Sequence, residues 1–412
     1  MAGYVLATLA LAVWVYLMTA RGGYWLAGER DDRHEPGPPA ASSPWPRVTA
    51  VIPARDEAET IGTTIRSLFG QAYPGRFDIV LVDDESRDGT AAAARAAAAA
   101  VGAADRLTVL TGRPLPAGWT GKLWAVHQGV AQATSAVPAP DFLLLTDADI
   151  TYGTNSLAPL VARAAAGGHV LTSLMVKLRC ESLAERIFVP AFVYFFQMLY
   201  PFGWVNRRDH PLGAAAGGCM LVRPQALEAA GGIAAIRGAL IDDCTLGALL
   251  KKKGPVWLGL TERVTSARPY EHIEDIRRMV ARSAYAQLGY SPLMLAGCIL
   301  GMALTWLAAP GLAFAGHGLA QALGAATFAL MIISYQPILR LYRRSPLWGL
   351  ALPLIALAYM AFTLDSAYQH ARGRGGLWKG RVQAQVDAQV GRTVDDSPAV
   401  DRQVEAKAAE PK

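Results

Sequence analysis

Three short hydrophobic runs of this chain end in clustered carboxylates. Residues 48–53 (VTAVIP) lead into Arg55-Asp56-Glu57, residues 78–83 (DIVLVD) into Asp83-Asp84-Glu85, and residues 142–147 (FLLLTD) into Asp147-Ala148-Asp149. In open α/β sheets ligands sit beyond the carboxyl ends of the strands. One acidic end is readily a turn or a helix cap, as Asp88-Gly89-Thr90 reads. Several acid clusters ending neighbouring strands are costlier, because like charges in one place repel unless a ligand or cation compensates them. Carboxylate oxygens suit a hard divalent cation, Mg²⁺ or Mn²⁺. Held at Asp149, such a cation would bridge to diphosphate oxygens and stabilise a departing diphosphate as a Lewis acid. Neither a GxGxxG nor a GxxxxGK[ST] loop is present, so a dinucleotide or P-loop site would lack its phosphate cradle.

The elements that must carry these acids follow from the patterning. Apolar runs at 48–53, 78–83, 107–111 and 142–147 alternate with helix-like stretches at 60–70 and 90–101, the second of them alanine-rich. That alternation predicts βαβ units and an α/β fold with a mostly parallel sheet covered on both faces.

Of the 412 residues, 52% are hydrophobic and 17% charged, against about 25% charged in ordinary soluble domains. The uncharged run 2–20 is long enough to cross a hydrocarbon core, so residues 1–21 read as an uncleaved transmembrane anchor. Arg21, Arg30, Arg33 and Arg47 follow it and put the next domain in the cytoplasm by the positive-inside rule. Segments 293–315, 318–339 and 347–364 form a C-terminal membrane cluster spanning 293–364. Strict alternation across these segments leaves the basic residues from Arg372 to Arg381 on the wrong side, so the path of the last segment stays open. Residues 187–205 are apolar and aromatic but hold Pro190, Pro201 and Gly203; they read as an interfacial or re-entrant element, with a buried core helix as the competing reading. Residues 382–412 turn polar and are expected to be a disordered tail. The net charge of +6 suits an anionic lipid surface or a phosphorylated substrate. Nucleic acid is not expected as a partner, because no aromatic-basic binding motif appears. The four cysteines show no paired or zinc-type spacing, and His127, His169 and His272 read as structural.

In order and spacing, five motifs resemble a family 2 glycosyltransferase of the GT-A (Rossmann-like) fold: VIPARDEAETI at 51–61, DIVLVDDESRDGT at 78–90, LLLTDAD at 143–149, GGCMLVRPQALEAAGG at 217–232 and IDDCTLG at 241–247. The resemblance covers 48–290. GWTGKLWAVHQG at 118–129, the C-terminal membrane cluster and LWKGR at 377–381 narrow it to integral-membrane members, nearest to hopanoid-biosynthesis-associated glycosyltransferases, with ceramide glucosyltransferase-like enzymes further off. It implies a nucleotide-sugar donor, a lipid acceptor and a place in a bacterial-type inner membrane. Asp56, Asp83 and Asp84 would then hold the nucleoside, uridine in this reading. Asp147 and Asp149 correspond to the family's DxD, with Asp149 the direct metal ligand. Asp243, beside Asp242, matches the catalytic base of an inverting transfer; a helix N-cap pair is the alternative. Lys122 would contact donor phosphates unless it is simply a solvated lysine. Gly217 and Gly218 would line the acceptor region or form a plain turn. Where many relatives carry Gln-x-x-Arg-Trp, this chain retains only Arg282, which could pair with diphosphate. The absent Gln and Trp favour single-sugar transfer over a processive polysaccharide synthase. A non-catalytic scaffold that binds sugar nucleotide or lipid is the third reading, and it has no use for a base at Asp243.

Overall fold

The structure is a computed structural model that describes residues 1–33, 35–37, 44–374, 377–378 and 381–382. Apart from Val382, the expected disordered tail lies outside the described residues.

Eight strands form one sheet: β1 Val48–Ala54, β2 Phe77–Asp83, β3 Leu107–Thr111, β4 Phe142–Leu145, β5 Ile150–Tyr152, β6 Leu171–Lys177, β7 Met220–Val222 and β8 Val256–Ser266. Their order is β3-β2-β1-β4-β7-β6-β8-β5. The half β3-β2-β1-β4 is parallel throughout, and β7 then runs antiparallel to both β4 and β6. The expected α/β sheet is therefore present, with antiparallel strands β7 and β5 in its second half. All seven residues of β1 are buried. Val48, Ala50, Ile52 and Ala54 pack into one apolar cluster and Val51 into the other. Two covered faces explain why this strand reads as a continuous hydrophobic run.

The first two crossover helices, Ala58–Phe69 and Thr90–Ala100, fall close to the stretches read from the sequence. The next, Gly121–Thr134, begins where the Thr120 hydroxyl accepts the Leu123 N–H at 3.3 Å. It lies hard against β1 and β2: a side chain on Gly129 would come within 2.5 Å of the Val51 methyl. That close approach fixes where Lys122, in the first turn, must point.

One strand end differs from expectation. β4 stops at Leu145 rather than running to Asp147. The Thr146 hydroxyl donates to the Gly218 carbonyl at 2.7 Å and receives the Tyr152 hydroxyl at 2.9 Å, both buried. These bonds peel the chain off the sheet, so that Asp147-Ala148-Asp149 forms a turn before β5.

Among the described residues, five helices are long and apolar enough to cross a membrane by length and composition: Ala2–Thr19, Leu183–Val205, Pro292–Ala315, Gly318–Leu341 and Pro346–Ala371. The last extends beyond the expected 347–364 and takes in Asp365, which pairs with Arg277 of the helix Ile273–Ala281. The element expected at 187–205 begins as the helix Leu183–Leu199, opened by a capping box in which Ser182 and Glu185 satisfy each other's backbone N–H. It docks on the C-terminal helices: Tyr194 Oη lies 2.6 Å from Ser334 Oγ, and Tyr359 donates to the Phe188 carbonyl at 2.9 Å.

Candidate active site

Lys122 is the centre of the inner site. Its ammonium lies 2.9 Å from Asp147 Oδ1 and 3.1 Å from Asp242 Oδ2, joining the turn after β4 to the first turn of the helix Asp242–Lys251. Burial would lower its pKa, but Asp147 and Asp242 outweigh that and hold it well above the ordinary lysine range. It is thus no solvated lysine; it neutralises a nest of acids. Asp147 is itself raised by burial, with Lys122 opposing.

Asp243 lies beside this group, against Gly217. Its two oxygens accept the Gly217 N–H at 2.9 Å and the Cys244 N–H at 2.7 Å, which sets the carboxylate in one orientation. Burial and then the neighbouring Asp242 charge push its pKa up to about 6, with Lys122 and the two N–H donors pulling back. A carboxyl with that value is a better proton acceptor than an ordinary aspartate and is still ionised near neutrality. The N-cap of this helix is Ile241, so the pair is not the cap; both acids lie in the first turn, where negative charge is favoured. A cavity lined by Pro53, Lys122, Thr146, Asp147, Gly217 and Asp242 opens here.

Gly217 and Gly218 part company. A side chain on Gly217 would stand 3.4 Å from Asp243 Oδ2 and 3.5 Å from the Lys122 ammonium, inside the opening. One on Gly218 would meet both Val176 methyls at 2.9 Å, so Gly218 serves packing between β7 and β6.

A second cation closes the other side. Arg268, just after β8, places Nε 2.6 Å from Asp149 Oδ2 and Nη2 2.8 Å from Glu57 Oε1. Asp149 is only 5% exposed. Among the described residues no group of three His, Cys, Asp or Glu side chains converges as a metal cluster. A magnesium-like cation needs fewer protein ligands, since it keeps waters and takes substrate oxygens beside one or two carboxylates. Asp147 and Asp149, hard oxygen donors on one turn and already facing cations at 2.9 and 2.6 Å, fit that chemistry.

The outer cluster is organised differently. Asp56 adopts φ +50° and Glu85 φ +59°, left-handed conformations that bend the two loops toward each other. Asp56 accepts the Arg87 N–H at 2.8 Å, Asp83 the Ser86 N–H at 2.9 Å, and Ser86 the Asp56 N–H at 3.0 Å. Asp84 is buried beneath Arg55, whose Nη1 reaches the Asp84 carbonyl at 2.7 Å and its Oδ2 at 3.4 Å.

Lys122, Asp147, Gly217, Asp242 and Asp243 are thus brought together, with Asp149 beside them on the Asp147 turn. Asp56, Asp83 and Asp84 form the adjacent loop pair. Arg282 is exposed at the end of the helix Ile273–Ala281 and makes no ion pair among the described residues. His127 stacks on Trp124 and leans on Trp119, a structural role. Sequence reasoning missed Arg268 and Glu57 as partners. The only local signal was an arginine two residues beyond a long strand.

Residues 49–231 match the family model for glycosyl transferase family 2. That match takes in less than half of the chain. Its curated relatives include the 4,4'-diaponeurosporenoate glycosyltransferase of Staphylococcus aureus (strain MRSA252), 33% identical over 105 residues. That match takes in 26% of this chain and spans about a quarter (24%) of the relative's length. Among solved structures, a mannosyltransferase from Pyrobaculum calidifontis in complex with GDP-Man and Mn²⁺ superposes with a TM-score of 0.52 at 19% identity, over 89% of this chain and 99% of the other. At that identity the likeness speaks for the fold, which is GT-A.

Proposed function

We propose that the chain is an inverting glycosyltransferase of the hexosyltransferase type that moves a sugar from a nucleotide-diphosphate sugar, a UDP-sugar, to a hydroxyl of a membrane lipid. The observation that carries this reading is the convergence, at the carboxyl ends of β1 and β4, of the half-buried Lys122 ammonium and the DxD residue Asp147 on one cavity, with the oriented Asp243 carboxylate bonded to Gly217 on its wall.

In this reading Asp56, Asp83 and Asp84 hold the nucleoside, and Arg282 reaches the diphosphate. Asp149 and Asp147 would hold Mg²⁺ or Mn²⁺, which supplies Lewis-acid charge to the leaving diphosphate. Asp243 takes the acceptor hydroxyl proton as that oxygen attacks the anomeric carbon, and the bond from that carbon to the diphosphate oxygen breaks on the opposite face. Lys122 offsets negative charge on the departing group. The acceptor approaches past Gly217. A position on the cytoplasmic face of a bacterial-type inner membrane is supported by the apolar N-terminal helix and the arginines after it. A hopanoid acceptor rests on the motif resemblance. The S. aureus relative, named for glycosylating 4,4'-diaponeurosporenoate, favours one discrete acceptor over a growing polymer, as does the chain's lack of the Gln and Trp beside Arg282.

The test is to incubate detergent-solubilised protein with Mn²⁺ or Mg²⁺, radiolabelled UDP- and GDP-sugars and a total lipid extract, with Asp149→Ala and Asp243→Asn in parallel. Label should enter an organic-extractable lipid and be lost in both variants. Label in insoluble polymer would point to a synthase, and donor binding without transfer to a scaffold.

A further inference from the structure

Arg268 joins the two acid clusters with one planar group. Its Nε edge holds Asp149 Oδ2 at 2.6 Å, and its Nη2 holds Glu57 Oε1 at 2.8 Å. Asp149 is nearly inaccessible, and a buried carboxylate without a cation is strongly destabilising. Some positive charge must therefore face Asp149 in every state of the protein. A divalent cation on the same oxygen and the guanidinium cannot both occupy that position.

The backbone around Arg268 is pinned on both sides. Its own N–H donates to Ser266 Oγ at 3.3 Å. Two residues on, the Tyr270 N–H donates to Glu185 Oε1 at 2.7 Å, and the Tyr270 carbonyl accepts from Ser182 Oγ at 3.0 Å. Glu185 is wholly buried, and its other oxygen accepts the Glu181 and Ser182 N–H groups at 2.7 and 2.9 Å. The capping box of the helix Leu183–Leu199 thus locks the Arg268 main chain. The side chain itself is 39% exposed, so release from Asp149 needs only its rotation. A guanidinium that leaves a carboxylate is satisfied equally well by phosphate oxygens, which it binds with the same fork.

We propose that Arg268 is a resident counter-cation. It holds Asp149 when no divalent metal is bound and yields it only when a nucleoside diphosphate is present to receive the guanidinium, so that metal and donor load together. This rests on the reading of Asp149 as a metal ligand and of the neighbouring opening as the diphosphate site. By linkage the coupling is reciprocal: the nucleotide tightens the metal by the factor by which the metal tightens the nucleotide.

The test is Mn²⁺ binding to the detergent-solubilised full chain, followed by electron paramagnetic resonance, for the wild type, Arg268→Gln and Arg268→Lys, each alone and with UDP or GDP. In the wild type, Mn²⁺ should bind weakly alone and tighten at least about fivefold with one of the nucleotides. Arg268→Gln should bind Mn²⁺ alone more tightly by a similar factor and lose the nucleotide effect. Arg268→Lys should fall between them, and it carries the test if the glutamine variant does not fold. Wild-type coupling that Arg268→Gln leaves untouched would overturn the role of Arg268 while leaving the metal site standing. Absence of Mn²⁺ binding in wild type and variants, with either nucleotide, would remove both.

Discussion

The outer and inner acid clusters compensate their charge in different ways. In the outer loops, Asp56 and Asp83 accept backbone N–H groups, and the Arg55 guanidinium lies against Asp84 at 3.4 Å and Glu85 at 3.5 Å. In the inner site, Asp147 and Asp242 share Lys122, and Asp149 faces Arg268. Fixed N–H groups shape a surface without adding charge, which suits recognition of a nucleoside. Side-chain cations can change partners, which suits a place where a diphosphate and a metal arrive and depart.

The sharpest way to break this contrast is Asp243→Asn. Transfer should fall about 10³-fold while Mn²⁺ and nucleotide binding persist. Thermal stability should hold or rise, because a carboxylate that burial disfavours has been removed. Kinetics and a melting curve on one preparation check both halves. Lys122→Met should be costly in both respects: about 2 kcal/mol of stability, since it leaves two half-buried carboxylates without their shared cation, and most of the activity. Equal stability of that variant and the wild type in denaturant titrations would show that the inner acids do not depend on this cation. Asp84→Asn should act on the outer side only, raising the donor KM about tenfold with kcat nearly unchanged; a fall in kcat alone would merge the two clusters into one.

The smallest effect is on pH. Asp243 must be ionised to accept a proton, so kcat/KM should fall about tenfold per unit below pH about 6. Its folded value lies above the 3.8 of an ordinary aspartate, so the native state binds this proton more tightly than the unfolded chain. The stability contribution of Asp243 is therefore gained as pH falls from about 6 toward 4 and lost on the way back up. Asp243→Asn should erase that contribution, visible as a difference between the two pH-stability curves.

Much of the domain was legible because its signals are local. Continuous apolar runs marked β1, β2, β3 and β4 to within a residue or two, and in β1, β2 and β4 burial on both faces leaves no polar side to interrupt the pattern. Asp83, Asp84, Asp147, Asp149 and Asp243 could be singled out from where carboxylates fall relative to those runs and from the resemblance. Arg282 reads equally well from its motif, yet it is exposed and makes no ion pair among the described residues. The end of β4 was misplaced by two residues because the bond that turns the chain there, Thr146 to Gly218, joins positions 72 residues apart.

By itself the sequence determined the kind of fold, the helices apolar enough for a membrane and the carboxylates that would serve a transfer. Each follows from hydrophobic periodicity or residue type over a short span. Only the tertiary structure decided which cation answers which acid. Arg268 lies 119 positions from Asp149, and Lys122 comes between Asp147 and Asp242 only once its own helix has packed on β1. Charge compensation depends on distance in space and on exclusion of water, and neither is written in the spacing of residues along the chain.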